Sequence, residues 1–375
     1  MAGEESRSTR AMVDDLTLAR KEGFGRFASC PPRPAPEILT RRQLAALGDD
    51  ARRDYDRDRR LWHANLGPIR TPQLSELHED LWDILESNQH DNHVAKGSIA
   101  LDAFPGLGKT TAVLAFARDF HNRQIAEYGT LTEQGHEHWP VCRIGLTGNT
   151  GMKDFNRAIL EFYGHPARER ATTAQMGIRA LDCVLLCSTR LLIVDDLHFL
   201  SWRSNSGVEI SNHFKYVANE FPVTLLFVGV GLSAKGLFSE GATYADAVLA
   251  QTGRRTTRLG IEPFHLATGD ERAQRAWRGL LLSIERRLIL ADKHPGMLAD
   301  ELADYLFARS TGHIGSLMSL INRGTQRAIR TGTEHLDTTL LDKVKIDEAA
   351  ELARSEMAAA FAAGKLRTAP APVTP

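Results

Sequence analysis

The chain has 375 residues, enough for two folded units or for one large unit with extensions. Its residues are 42% hydrophobic and 25% charged, the balance of a globular protein with a core of ordinary size. A formal net charge of −1 excludes a broad polycationic pull on nucleic acid and leaves any phosphate recognition to local patches, while apolar runs such as "LLIV" are far too short to span a bilayer.

The first segment, 1–65, reads as an extended, charged arm. "MAGEESRSTRAMVDD" lacks the apolar core of a signal peptide, so the expectation is a cytoplasmic chain. "CPPRPAP" is extended connector, and 41–64 has the interleaved charges of a solvated helix or of a docking segment. Cys30, Cys142, Cys183 and Cys187 form no C-x-x-C pair and are expected as reduced, buried thiols. "HEH" at 136–138 reads as a solvated turn.

The core is placed at 66–265. It opens with "RTPQLSELHEDLWDIL", in which Thr71 is the N-cap, Pro72 takes the first helical position, and Leu74, Leu77, Leu81 and Leu85 form one stripe. Five β-like runs then alternate with helical segments: "SIALDA", "VCRIGL", "RLLIVDD", "VTLLFVG" and "TTRLGI". That alternation predicts an α/β fold with a mainly parallel five-stranded sheet between layers of helices. From 266 to 345 the pattern is helical only, with Leu298, Leu302, Tyr305 and Leu306, then Ile314, Leu317, Met318 and Ile321 at helical spacing. Residues 346–375 are Ala- and Pro-rich and read as a tail without a core.

The stretch "LDAFPGLGKTTA" carries the chemistry. It fits the phosphate-loop pattern G-x-x-x-x-G-K-[ST] except that Ala103 stands at the first glycine position. A strand precedes it, and Val113, Phe116, Ala117 and Phe120 mark a helix after it. The loop from Pro105 to Thr111 would thus wrap the phosphates, its backbone N–H groups from Gly106 onward facing phosphate oxygens at a helix N-terminus. Gly106 and Gly108 allow close backbone approach, and Leu107 lies between them. Lys109 would reach the β- and γ-phosphates, and Thr110 would offer its hydroxyl to Mg2+. Ala103 lies at the strand exit and is tolerable there provided its φ is negative.

"LLIVDD" supplies the second element. Asp195 is the expected Mg2+ partner, and Asp196 stands where a base to polarise the attacking water belongs. Together the two elements predict a site for ATP and Mg2+. The strand in "FPVTLLFVGVG" should run between them, but Gly229 and Val230 at its end offer no side-chain hydrogen bond, and Thr224 and Ser233 are displaced from the place where one is needed.

In the order of its elements the chain resembles the AAA+ ATPases, and within them the TniB-type (TnsC-like) ATPases that serve transposases. "NLGPIRTPQLSELHEDL", "FPGLGKTT", "LTGNTGMKDFNRAILEFYGHP" and "LLIVDDLHFL" carry the likeness, over roughly residues 64–330. The resemblance implies an AAA+ P-loop core followed by a small all-helical lid. It implies that "QTGRRTTRLGIEPF" holds an arginine finger, Arg254 or Arg255, given in trans within a ring or helical homo-oligomer. It also implies assembly of the ATP-bound form on double-stranded DNA and recruitment of a DDE-type transposase or integrase.

Lys153, Lys235, Arg254 and Arg258 are the candidates for DNA phosphate contacts. The family's second sensor arginine is absent: Ser316 and Leu317 follow Gly315, and His313 is a weak substitute. With Asp196 in place of the commoner glutamate, the expectation is slow, partner-stimulated hydrolysis. The rival readings are a nucleotide-binding signalling switch and a secretion or helicase-loading ATPase.

Overall fold

In the computed structural model the described residues are 17–89, 96–146, 151–166, 171–197, 213–214, 216–232, 255–267 and 269–368. All five expected β-like runs are strands: β1 Ser98–Ala103, β2 Val141–Gly145, β3 Leu191–Asp195, β4 Thr224–Gly229 and β5 Thr256–Ile261. They form one sheet in the order β2-β3-β4-β1-β5, and every pairing is parallel. β4 therefore runs between the loop strand β1 and the carboxylate strand β3, as the sequence predicts. β3 and β4 are buried along their whole length, which is why they read as unbroken apolar runs rather than as alternating ones. β5 lies at a sheet edge and is partly exposed throughout.

The chain divides into two units: Met1–Pro31, Glu76–Pro105 and Lys109–Ile261, then Pro32–Ser75, Gly106–Gly108 and Glu262–Pro375, each taken through its described residues. In the first unit the Lys109–Tyr128 helix buries Val113, Phe116, Ala117 and Phe120, the predicted stripe. Trp82, on the Pro72–Gln89 helix, meets the Phe116 ring at 5.1 Å between centroids. Leu77, Leu81 and Leu85 of that helix are buried, and the Thr71 hydroxyl accepts from the Leu74 N–H at 3.1 Å, so the cap forms as read.

The segment 129–139 differs from a solvated turn. Leu131 and Glu137 form an antiparallel bridge, and His138 is buried with a ring nitrogen 2.8 Å from the Gly129 carbonyl. The thiols are free: Cys142 is buried, while Cys30, Cys183 and Cys187 are partly exposed.

The second unit is helical around Trp277, Leu280, Leu281, Leu306, Leu317 and Ile321. Two segments read as peripheral belong to it or to the first unit. Much of the arm is exposed where it is described, but particular side chains of its helices are buried. Phe24, on the Lys21–Ser29 helix, is buried against Phe162 and His121 of the first unit. Arg59 and His63, on the Asp49–Ala64 helix, are fully buried in the second unit. Some of their polar atoms are matched by distant groups: Arg59 Nη1 binds Glu334, and His63 Nε2 accepts from the Ile289 N–H at 3.0 Å, whereas Arg59 Nε and His63 Nδ1 have no hydrogen-bond partner among the described residues.

The Ala-rich stretch is likewise ordered through a helix at Glu348–Ala362. Arg309 donates to Glu351 Oε1 at 2.8 Å, and Phe361 packs edge-on to Phe307, so a few anchors hold a helix whose small side chains carry little apolar signal of their own. Among the described residues no helix is long and apolar enough to cross a membrane.

Candidate functional site

β1 ends at Ala103 and the next helix begins at Lys109, so the intervening loop turns a buried strand into a helix N-terminus. The turn needs a left-handed backbone at two places, and Gly106 and Gly108 supply it with φ of +77° each. Ala103 is absent from the positive-φ positions, which meets the condition for an alanine there. Leu107 is buried and anchors the loop, whereas Phe104, Pro105, Gly106, Thr110 and Thr111 are exposed.

Lys109 closes the loop on itself. Its Nζ donates to the Ala103 and Phe104 carbonyls, both at 2.7 Å. Burial pushes the ammonium pKa down, while Asp102, Asp195 and Asp196 pull the other way. Lys109 and three carboxylates thus come together at the carboxyl-terminal edge of the sheet around the loop, where open α/β sheets bind ligands.

Asp195 is the last residue of β3 and is 5% exposed. Its Oδ2 accepts from Arg143 Nη2 at 2.7 Å, and its Oδ1 from the Asp196 N–H at 3.0 Å. Asp196 itself is exposed and has φ of +61°, a left-handed conformation that aspartate tolerates better than most residues. Asp102, one residue before the end of β1, is nearly buried, with Arg258 Nη2 3.8 Å from its Oδ2.

These residues suit Mg2+ held together with a polyphosphate. An added Cβ at Gly106 would meet nothing within 4 Å, so the loop presents an open cradle lined by backbone. The Thr110 hydroxyl and the Asp195 carboxylate are hard oxygen donors. Among the described residues no group of three or more His, Cys, Asp or Glu could hold a metal by itself. Mg2+ is commonly bound by one or two carboxylates with phosphate oxygens completing its shell, so such a donor set calls for a phosphate ligand as well. When bound, the ion would neutralise charge on the phosphates.

Other predicted residues lie elsewhere. Arg255 precedes β5: its carbonyl accepts from the Ser98 N–H at 2.8 Å, and its Nη1 donates to Asn219 Oδ1 at 3.0 Å. Ser98 begins β1 and the phosphate loop follows its end, so Arg255 sits at the opposite end of the sheet from that loop. Arg254, Ser233 and Lys235 fall outside the described residues. Lys153 is exposed in the first turn of the Met152–Phe162 helix, not in a loop. Thr224 begins β4, where its hydroxyl accepts from Asn88 Nδ2 at 2.9 Å.

Ser316 is buried in the Ile314–Thr331 helix of the second unit and bonds to Asp347. Burial raises the Asp347 carboxyl, but the Ser316 hydroxyl and backbone donors outweigh it and leave the pKa below the ordinary carboxylate value. Ser316 is thus committed to structure.

Sequence reading missed Arg143 and Asp102. Both are charges inside apolar strand runs, "VCRIG" and "SIALDA", and a charge in a buried parallel strand demands a partner.

Residues 92–238 match a family described as an AAA domain. No curated protein matches the chain. Among solved structures, the chain is similar to the Aeropyrum pernix ORC1 protein in complex with DNA, at 16% identity over 90% of this chain and 75% of that one, with a TM-score of 0.51. It is also similar to the Aeropyrum pernix ORC2 protein in ADPNP-ADP complexes, at 14% identity over 79% of this chain and 71% of that one, again with a TM-score of 0.51. The likeness is one of fold: an AAA+ P-loop α/β core with a helical region after it.

Proposed function

We propose that this chain is an ATP-dependent, DNA-binding regulator of transposition. With ATP and Mg2+ bound it assembles on duplex DNA as a ring or helical homo-oligomer and recruits or activates a DDE-type transposase. Slow hydrolysis then releases the assembly.

The observation that carries the nucleotide half is the placement of Lys109. It spans the start of a glycine-turned loop at a helix N-terminus and interacts with Asp102, Asp195 and Asp196. Lys109 and the loop N–H groups bind phosphate, Thr110 and Asp195 hold the metal, and exposed Asp196 orients water. Arg254 or Arg255, the latter remote from its own loop, serves a neighbouring subunit. The DNA half rests on the four stretches that resemble TniB-type ATPases and on the fold shared with an ORC1 protein solved on DNA.

The test is light scattering of purified protein with ATP and duplex DNA, comparing wild type with Lys109→Ala and Asp196→Ala. Wild type forms higher-order species, Lys109→Ala does not, and Asp196→Ala forms them and fails to disassemble. If ATP and DNA together yield no assembly from wild type, the transposition reading is wrong and a nucleotide-binding signalling switch takes its place. Rapid turnover of the protein alone contradicts slow release.

A further inference from the structure

Asp195 reaches the ligand edge of the sheet already carrying a counter-charge. Arg143 lies on β2, the strand beside β3, and the register sets Arg143 opposite Ile193 and Gly145 opposite Asp195. Side chains two apart on a strand share a face, so Arg143 and Asp195 are diagonal neighbours on one face of the sheet. The guanidinium therefore reaches along β2 towards its carboxyl end to place Nη2 2.7 Å from Asp195 Oδ2. Both side chains are largely withdrawn from solvent, 17% and 7% exposed, so the pair is screened far less than a surface ion pair. The second oxygen is tied as well, by the Asp196 N–H.

A carboxylate that is to help hold a divalent cation is thus neutralised in advance by a cation that cannot lose its proton. Resting on the reading of this site as one for Mg2+ and ATP, we propose that Arg143 is a positioning residue that competes with Mg2+ for Asp195 and so sets the metal dependence of nucleotide binding. Two consequences follow from Coulomb's law. Arg143 lowers the affinity of the site for the metal, because a guanidinium beside the ion repels it. It also spares the protein an uncompensated buried carboxylate, so nucleotide binding through Lys109 and the loop persists without metal.

The experiment is a titration of the full chain with a fluorescent ATP analogue, first in EDTA and then across a Mg2+ series. The compared proteins are wild type, Arg143→Met, Arg143→Lys and Asp195→Asn. Competition predicts that Arg143→Met lowers the half-saturating Mg2+ concentration by roughly tenfold, that Arg143→Lys stays near wild type, and that in EDTA, where Asp195 is left without a counter-charge, only Arg143→Met binds the nucleotide more weakly. It also predicts that Asp195→Asn, which needs no counter-ion, raises the Mg2+ midpoint by less than about tenfold, since Arg143 had already reduced what Asp195 gives the metal.

An unchanged or higher midpoint in a folded Arg143→Met overturns the proposal. If that variant does not fold, a loss well above tenfold in Asp195→Asn overturns it instead. Wild type that binds no nucleotide in either condition defeats the nucleotide site itself, a different result from a bound nucleotide with an unmoved midpoint.

Discussion

Arg59 Nη1 lies 2.7 Å from Glu334 Oε2, with the two side chains 0% and 1% exposed. Glu334 also accepts from Arg59 Nη2 at 3.0 Å and from the Ala291 N–H at 3.1 Å, while Asp56 takes a second share of the guanidinium. A helix read as a solvated arm is thereby fastened into the helical unit by a charge pair that water does not reach. Glu334→Ala leaves Arg59 buried with one acid and strips the Ala291 N–H of its acceptor, at a cost of about 3 kcal/mol. Glu334→Gln retains an acceptor and costs less. Urea unfolding curves check both, and a loss under about 1 kcal/mol for Glu334→Ala means that the pair behaves like a surface one.

His63 makes the same unit sensitive to acid. Burial pushes its imidazole pKa down to about 4, the Arg59 backbone and Glu334 oppose it, and the charges of Arg59 and Lys293 reinforce it. The unfolded chain, with an ordinary value near 6.5, binds the proton first, so stability is full above about 6.5 and falls as pH drops from there to about 4. The loss is at most about 3 kcal/mol. His63→Gln keeps an acceptor for the Ile289 N–H and removes the titration. Its urea midpoint is therefore expected to depend less on pH between 4 and 6.5 than that of wild type, and equal slopes would show that other groups govern the acid response.

Much of the α/β unit was legible because its signals are local. β1 to β4 are largely apolar runs closed by a turn or a charge, and the order of loop strand, carboxylate strand and intervening strand follows from what those ends carry. The helical unit was legible only in its middle. Arg59 sits in "DDARRDYDRDRR", where every neighbour argues for solvent, and its burial is decided by Glu334 far along the chain. The Glu348–Ala362 helix hid for the opposite reason, since alanines pack without announcing a face. At the site, the loop and Asp195 were found by pattern, while Arg143 and Asp102 were passed over because they stand inside strands whose apolar character dominated the reading. A rule that every charge in a buried strand must be assigned a partner finds both.

Gly106 tests the phosphate cradle apart from the fold. A methyl group there meets no protein atom within 4 Å, so Gly106→Ala introduces no clash, and the φ of +77° costs about 1 kcal/mol in backbone strain. The same methyl group projects where a phosphate would approach the loop N–H groups. ATP affinity measured by calorimetry is expected to fall by at least roughly tenfold while the melting curve shifts only slightly. Affinity equal to wild type would place the phosphate away from this loop.

Ala103 invites the reverse substitution, since a glycine restores the usual loop pattern. The structure argues that nothing is gained. Ala103 closes β1 without a positive φ, its side chain is 7% exposed, and it serves Lys109 through its carbonyl, which any residue supplies. A glycine at this strand position adds backbone freedom to the unfolded chain and removes a packed methyl group, for a loss of roughly 0.5–1 kcal/mol. Ala103→Gly is therefore expected to bind ATP as wild type does and to melt slightly earlier. Tighter nucleotide binding in this variant would mean that the alanine holds the loop away from its best phosphate geometry.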